Sequence, residues 1–108
     1  MSKVNPVLFV VTANVPPQME DEFNEWYNHT HVPEVLGCPG WLSARRFKAV
    51  EGAAGSGAPK YLALYELEDA SATETEELGR VRGWGKFTPH ITDHIKRVYQ
   101  QIYPIITE

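Results

Sequence analysis

Histidine is the side chain that most readily exchanges a proton near neutral pH, and this chain carries four. Two of them, His29 and His31, fall in the aromatic-rich segment 23–41, beside Trp26, Tyr27 and Trp41. On a helix, Asn24, Tyr27 and His31 share one face, being spaced by three and four residues. A phenol four residues from an imidazole can hydrogen-bond to it, or stand beside it against a ligand. Two readings of His31 follow: a pocket acid or base, or an imidazolium at the negative end of its helix. His29 points to the other side of the helix and reads as surface.

The remaining candidates are dispersed. His90 and His94 have metal-ligand spacing only if their segment is helical, and the breakers Gly83, Gly85 and Pro89 argue against that. No metal is expected, and His90 is read as lining a pocket. Trp84 and Phe87, three apart, form either a core plug or an aromatic lid. Trp41, Arg45 and Phe47 alternate onto one strand face, so Arg45 needs an anion: Glu66 across the hairpin, or a ligand carboxylate. Tyr61 and Tyr65 share a strand face as hydroxyl donors, with core packing as the plainer role. Cys38 has no activating base beside it and reads as inert.

These residues need elements to place them. Residues 4–15 read as a strand that is apolar on both parities, closed by Pro16-Pro17. A helix is expected over about 18–35, with Glu20, Asp21 and Glu22 in its first turn and Pro33 at a kink or end. Residues 41–50 and 60–67 read as a hairpin across the Gly-rich stretch 51–59. That stretch lacks the lysine and the following helix of a phosphate-binding loop. A second helix opens at Asp69 or Ser71, and a fourth strand is expected over 95–106, again apolar on both parities.

The order β-α-β-β-α-β implies an α+β, ferredoxin-like single domain over residues 1–108, with an antiparallel four-stranded sheet and both helices on one face. The other sheet face would then expose apolar residues from strands one and four. A second copy packed sheet to sheet is the economical cover, so a homodimer is expected.

Composition narrows the function classes. The chain has 108 residues, 43% of them hydrophobic, and a formal net charge of −4. Its lysines are scattered, so no nucleic-acid partner is expected. No apolar run has the length of a membrane span, and the lone cysteine cannot form an internal disulfide. A cytoplasmic location without a membrane partner is the expectation.

The residues Phe23, Trp26-Tyr27, His31-Val32-Pro33, Pro39-Gly40-Trp41, Arg45-Arg46-Phe47, the strand 61–67 and Tyr99-Gln-Gln-Ile-Tyr-Pro104 resemble the dimeric α/β-barrel superfamily. They are most similar to its ethyl tert-butyl ether degradation (EthD-like) branch. The resemblance implies a pocket between sheet and helices for a small, hydrophobic, oxygenated molecule, with His31 at the family's first-helix histidine.

The function expected from it is cofactor-independent acid/base chemistry of the lyase, isomerase or cyclase kind on a carbonyl- or phenol-bearing catabolic intermediate. His31 would be base or acid, and Tyr27 or Tyr61 would steady an oxyanion. Asn24, Trp26, Trp41, Arg45, Trp84, Phe87 and His90 would line the pocket. The alternatives are a cofactor-free or haem-dependent monooxygenase and a non-catalytic ligand-binding dimer.

Overall fold

A computed structural model of the chain describes residues 6–52 and 59–102. Four strands, β1 (Val7–Asn14), β2 (Trp41–Lys48), β3 (Tyr61–Leu67) and β4 (Thr92–Gln100), form one antiparallel sheet in the order β2-β3-β1-β4. The helical segments α1 (Glu20–Trp26), α2 (Val32–Leu36) and α3 (Glu76–Val81) follow β1 and β3 in the expected chain order. The architecture is the ferredoxin-like α+β arrangement.

Strand parity sorts the sheet into a covered and an open face. Val7, Val11 and Ala13 of β1 and Tyr61, Ala63, Tyr65 and Leu67 of β3 are buried beneath the helices with Phe23, Tyr27, Val35 and Phe87. Leu8, Val10, Leu62 and Leu64 take the opposite parity and are only half-buried. Beside them on the open face lie Phe47, Ile95 and Tyr99, each about half exposed at 48%, 56% and 49%. Every residue of the edge strand β4 is exposed. The apolar residues of both parities therefore do serve two faces, and the second face has no cover among the described residues.

The first helix departs from the regular one expected. α1 passes into a π turn over Tyr27–His31, where the Val32 N–H donates to the Tyr27 carbonyl five residues back. α2 then resumes with Pro33 in its first turn. Pro33 has no N–H with which to bond the His29 carbonyl, and its ring crowds that carbonyl in an α-helix. A wide turn just before it relieves both problems.

Two irregularities set side-chain direction on the sheet. The β2–β3 register shifts between Trp41 and Ser43, so Trp41 and Ala44, Arg46 and Lys48 all fall on the helix side. Gly40 turns the chain into β2 at φ 85°, where a Cβ would stand 2.8 Å from the Ala72 Cβ. The β1–β4 register shifts between Thr12 and Asn14, with Asp93 at φ 55° and its carboxylate accepting from Asn14 at 2.9 Å. The second helical region is shorter than expected. Asp69 caps a 3-10 turn over Ala70–Glu74, and Thr75 then caps α3 by accepting from the Leu78 N–H. β4 begins earlier than expected, at Thr92, and the expected strand beyond residue 102 lies outside the described residues.

Candidate functional site

A cavity of about 30 Å³ lies between the sheet and the first helix, walled by Tyr27, His31, Tyr65, Leu78, Trp84 and Lys96 among others. It has room for about two waters. A second, of about 10 Å³, adjoins it and is lined by Phe23, Arg46, Tyr61 and Ala63. Val11, Tyr27 and Trp84 border both.

The π turn determines how His31 enters the first cavity. Its imidazole stacks on Trp26 at 4.8 Å between centroids and meets the Tyr27 ring edge-on at 5.0 Å. The side chain is buried, with 6% exposed, and its Nδ1 has no hydrogen-bond partner among the described residues. Burial, followed by the charges of Lys96 and Arg46, lowers its pKa to about 4. Burial therefore favours neutral His31 at physiological pH, and the helix runs on to Leu36, so the imidazole does not cap its end. It can accept a proton there but has none of an acid's surplus to give.

Phenols and cations complete the wall. The Tyr27 and Tyr65 hydroxyls are 3.1 Å apart and buried, and burial raises both pKa values, so both remain protonated donors. Lys96 projects from the helix-facing side of β4, its Nζ 5.1 Å from the Trp84 ring. Trp84 itself is buried between Gly83 at φ 101° and Gly85 at φ 57°.

Arg46 stands over the same cluster from β2, its guanidinium carbon 4.2 Å from the Tyr27 ring centroid and 5.5 Å from that of Tyr61. Its Nη1 donates to Asn28 Oδ1 at 2.8 Å, while Nε is buried without a partner among the described residues. Cation–π contact is worth roughly 2 kcal/mol when desolvated. Removing an ion from water costs several kcal/mol. The rings alone leave this charge under-compensated.

Several expected site residues stand elsewhere. Arg45 projects from the open face over Phe47, because the β2 bulge puts Arg46, not Arg45, on the Trp41 side. Glu66 accepts from Ser43 instead of Arg45. Trp41 is a core side chain, edge-on to Phe9 and Tyr65, with its indole N–H on the Ala72 carbonyl at 2.9 Å. Phe87 is buried against Phe23 and Trp26, a packing role. His90 is exposed at the end of a 3-10 turn over Gly85–His90, away from the cavity. His94 lies on β4, so the helical spacing of this pair does not arise.

Tyr61 borders only the smaller cavity, donating to Glu20 at 2.5 Å and accepting from Asn24 at 3.2 Å; the hydroxyl beside His31 belongs to Tyr65. Asn24 and Trp26 support the wall from behind. His29 is exposed, 3.9 Å from Glu25, as expected. Lys96, Arg82 and Arg46 were not among the expected site residues. Alternation in β3 already put Tyr65 with Tyr61, but the strand pairing that brings Lys96 opposite Val11 has no local signal.

Solved structures share this fold. An ethyl tert-butyl ether degradation (EthD) family protein from Bacillus halodurans C-125 is similar with a TM-score of 0.69 and 17% identity, over 90% of this chain and 99% of its own. The heme-degrader MhuD from Mycobacterium tuberculosis, solved with two hemes in its active site, gives 0.65 and 17%, over 93% and 99%. A protein from Shewanella loihica PV-4, provisionally named a monooxygenase, gives 0.64 and 16%, over 94% and 99%. At these identities the likeness establishes the fold, which is that of the EthD-like resemblance, and not a reaction. No curated protein matches the chain. A family model described as a domain of unknown function (DUF4286) covers residues 6–101, and the chain belongs to that family.

Proposed function

We propose that this protein is an enzyme acting on a small, hydrophobic, oxygenated substrate through its enolate or phenolate. His31 is the proton acceptor. The observation that carries this reading is a buried, neutral imidazole whose Nδ1 has no partner among the described residues, set in an arene-walled cavity beside the cation of Lys96. A base of pKa about 4 is weak in the empty pocket. A substrate that becomes anionic beside Lys96 raises the basicity of His31 as it forms, so proton transfer and oxyanion stabilisation support each other. The Tyr27 and Tyr65 hydroxyls supply further donors to the same oxygen.

Two outcomes of such an anion fit the pocket. Returning the proton at another carbon is an isomerase step, and expelling a β-leaving group that takes up the proton is a lyase step. Giving electrons to molecular oxygen turns a methylene into a carbonyl, with one oxygen atom in the product and the other leaving as water. The heme-degrading and monooxygenase names of two structural relatives favour the oxygen-dependent outcome. A haem does not fit these residues. Swinging Trp84 aside would free an indole's volume, enough for a one- or two-ring arene but not for a macrocycle.

A panel of small phenols and enolisable ketones, followed in D₂O for exchange at the α-carbon and for oxygen uptake, tests the proposal. Exchange that disappears in folded His31→Gln supports it, and oxygen uptake selects the monooxygenase. Ligands recovered unexchanged and unoxidised would leave a binding module. The protein is also proposed to act as a homodimer through the open sheet face, with Phe47, Ile95 and Tyr99 at the contact.

A further inference from the structure

The two cavities are adjacent chambers divided by Tyr27 and Trp84, and their charge is one-sided. Arg82 and Lys96 line the first and Arg46 the second, while neither lining includes an Asp or Glu. This occurs in a chain whose 14 acidic residues outnumber its 10 Lys and Arg. Arg46 uses Nη1 on the neutral amide of Asn28, and its Nε is buried with no partner among the described residues. The rings of Tyr27, Tyr61 and Phe23 cover the guanidinium but bring no net charge. Glu20, the carboxylate at this end of the site, is taken by Lys60 at 3.0 Å and by the Tyr61 hydroxyl.

We propose that Arg46 is the seat for a ligand carboxylate, so that the substrate is a small aromatic acid spanning both chambers. Its carboxylate occupies the Arg46 chamber and its reacting carbon lies beside His31. The Nε–Nη2 edge left by the Asn28 contact offers two parallel N–H donors, the geometry a planar carboxylate accepts side-on. The smaller chamber holds about one water as it stands, so an acid spanning both is admitted only when Trp84, which borders both, swings aside. Partial desolvation strengthens the pairing, since Arg46 is half-buried and its Nε is already withdrawn from water. The inference rests on the His31 chamber being a substrate pocket.

The test uses benzoate and its neutral isostere benzamide. The Arg46 Nε–H resonance of the wild-type protein is followed by NMR during titration with each. A saturable shift with benzoate, at least tenfold weaker with benzamide, is expected. Benzoate binding read by saturation transfer should be lost in Arg46→Gln. An absent or non-saturable response to benzoate, an equal response to benzamide, or unchanged benzoate binding in Arg46→Gln would overturn the assignment. The wild-type comparison decides the matter even if the variant misfolds. Benzoate is not consumed, so the seat is judged apart from catalysis: an intact seat with no turnover sinks the His31 chemistry alone.

Discussion

The His31 imidazole lies nearly parallel over the Trp26 indole five residues earlier, with ring centroids 4.8 Å apart and planes 13° apart. In an α-helix, residues five apart stand about 140° apart around the axis and cannot stack. The π turn over Tyr27–His31 removes that offset. It also keeps the imidazole in contact with Tyr27, so one turn fixes the ring from two sides.

That placement makes stability depend on pH through His31. Its folded pKa of about 4 lies below the ordinary 6.5, so the unfolded chain binds the extra proton between those values. The contribution of neutral His31 is present above pH 6.5 and is lost as pH falls toward 4. The full shift corresponds to roughly 3 kcal/mol. Urea midpoints at pH 7 and pH 4.5 should differ by less in His31→Gln than in wild type, the difference being the His31 share. Equal pH dependence in both proteins would contradict it.

The Tyr27–Tyr65 hydroxyl pair should behave as a coupled unit. Tyr65→Phe or Tyr27→Phe alone leaves one buried hydroxyl without its partner, at about 1–3 kcal/mol. The double variant removes both and should cost clearly less than the sum of the singles. Additive losses in a double-mutant cycle by chemical denaturation would show that the hydroxyls are satisfied some other way.

Trp84 should control access. Trp84→Ala removes a buried indole that stands between the chambers, costing about 3–5 kcal/mol if the fold survives. The remaining folded protein should bind two-ring arenes faster than wild type in stopped-flow fluorescence. Gly83→Ala meets no atom within 4 Å, yet its φ of 101° strains any other residue, at roughly 1–3 kcal/mol. A neutral Gly83→Ala would mean that this backbone relaxes freely.

The open sheet face should be an interface between copies. Phe47→Asp and Ile95→Asp alter side chains already about half exposed in one chain, so each should keep the far-UV spectrum. In sedimentation velocity, wild type at micromolar concentration should run as a dimer and both variants as monomers. A monomeric wild type would reject the arrangement.

The element order and the α+β architecture were legible because strand alternation and helix spacing are local patterns. The aromatic helix, the shared face of Tyr27 and His31, and the surface position of His29 could be read by counting along it, whereas counting left His31 open between pocket and helix cap. Arg45 was chosen over Arg46 because strict alternation has no way to register a bulge, and one extra residue moves every later side chain to the other face. Trp41 and Phe87 carry the composition of pocket residues, but aromatic size serves a core equally well.

The sequence by itself determined which residues alternate, which cluster, and that two sheet faces would need covering. Those properties follow from side-chain type and spacing, which are written along the chain. Tertiary structure alone decided which cation meets which ring. Lys96 reaches Trp84 through the β1–β4 pairing, Arg46 reaches Tyr27 through a bulge, and His31 reaches Trp26 through a widened turn. Each is a distance of a few ångströms between distant residues or across an irregular turn. Such distances follow from how backbone hydrogen bonds close, which no periodicity records.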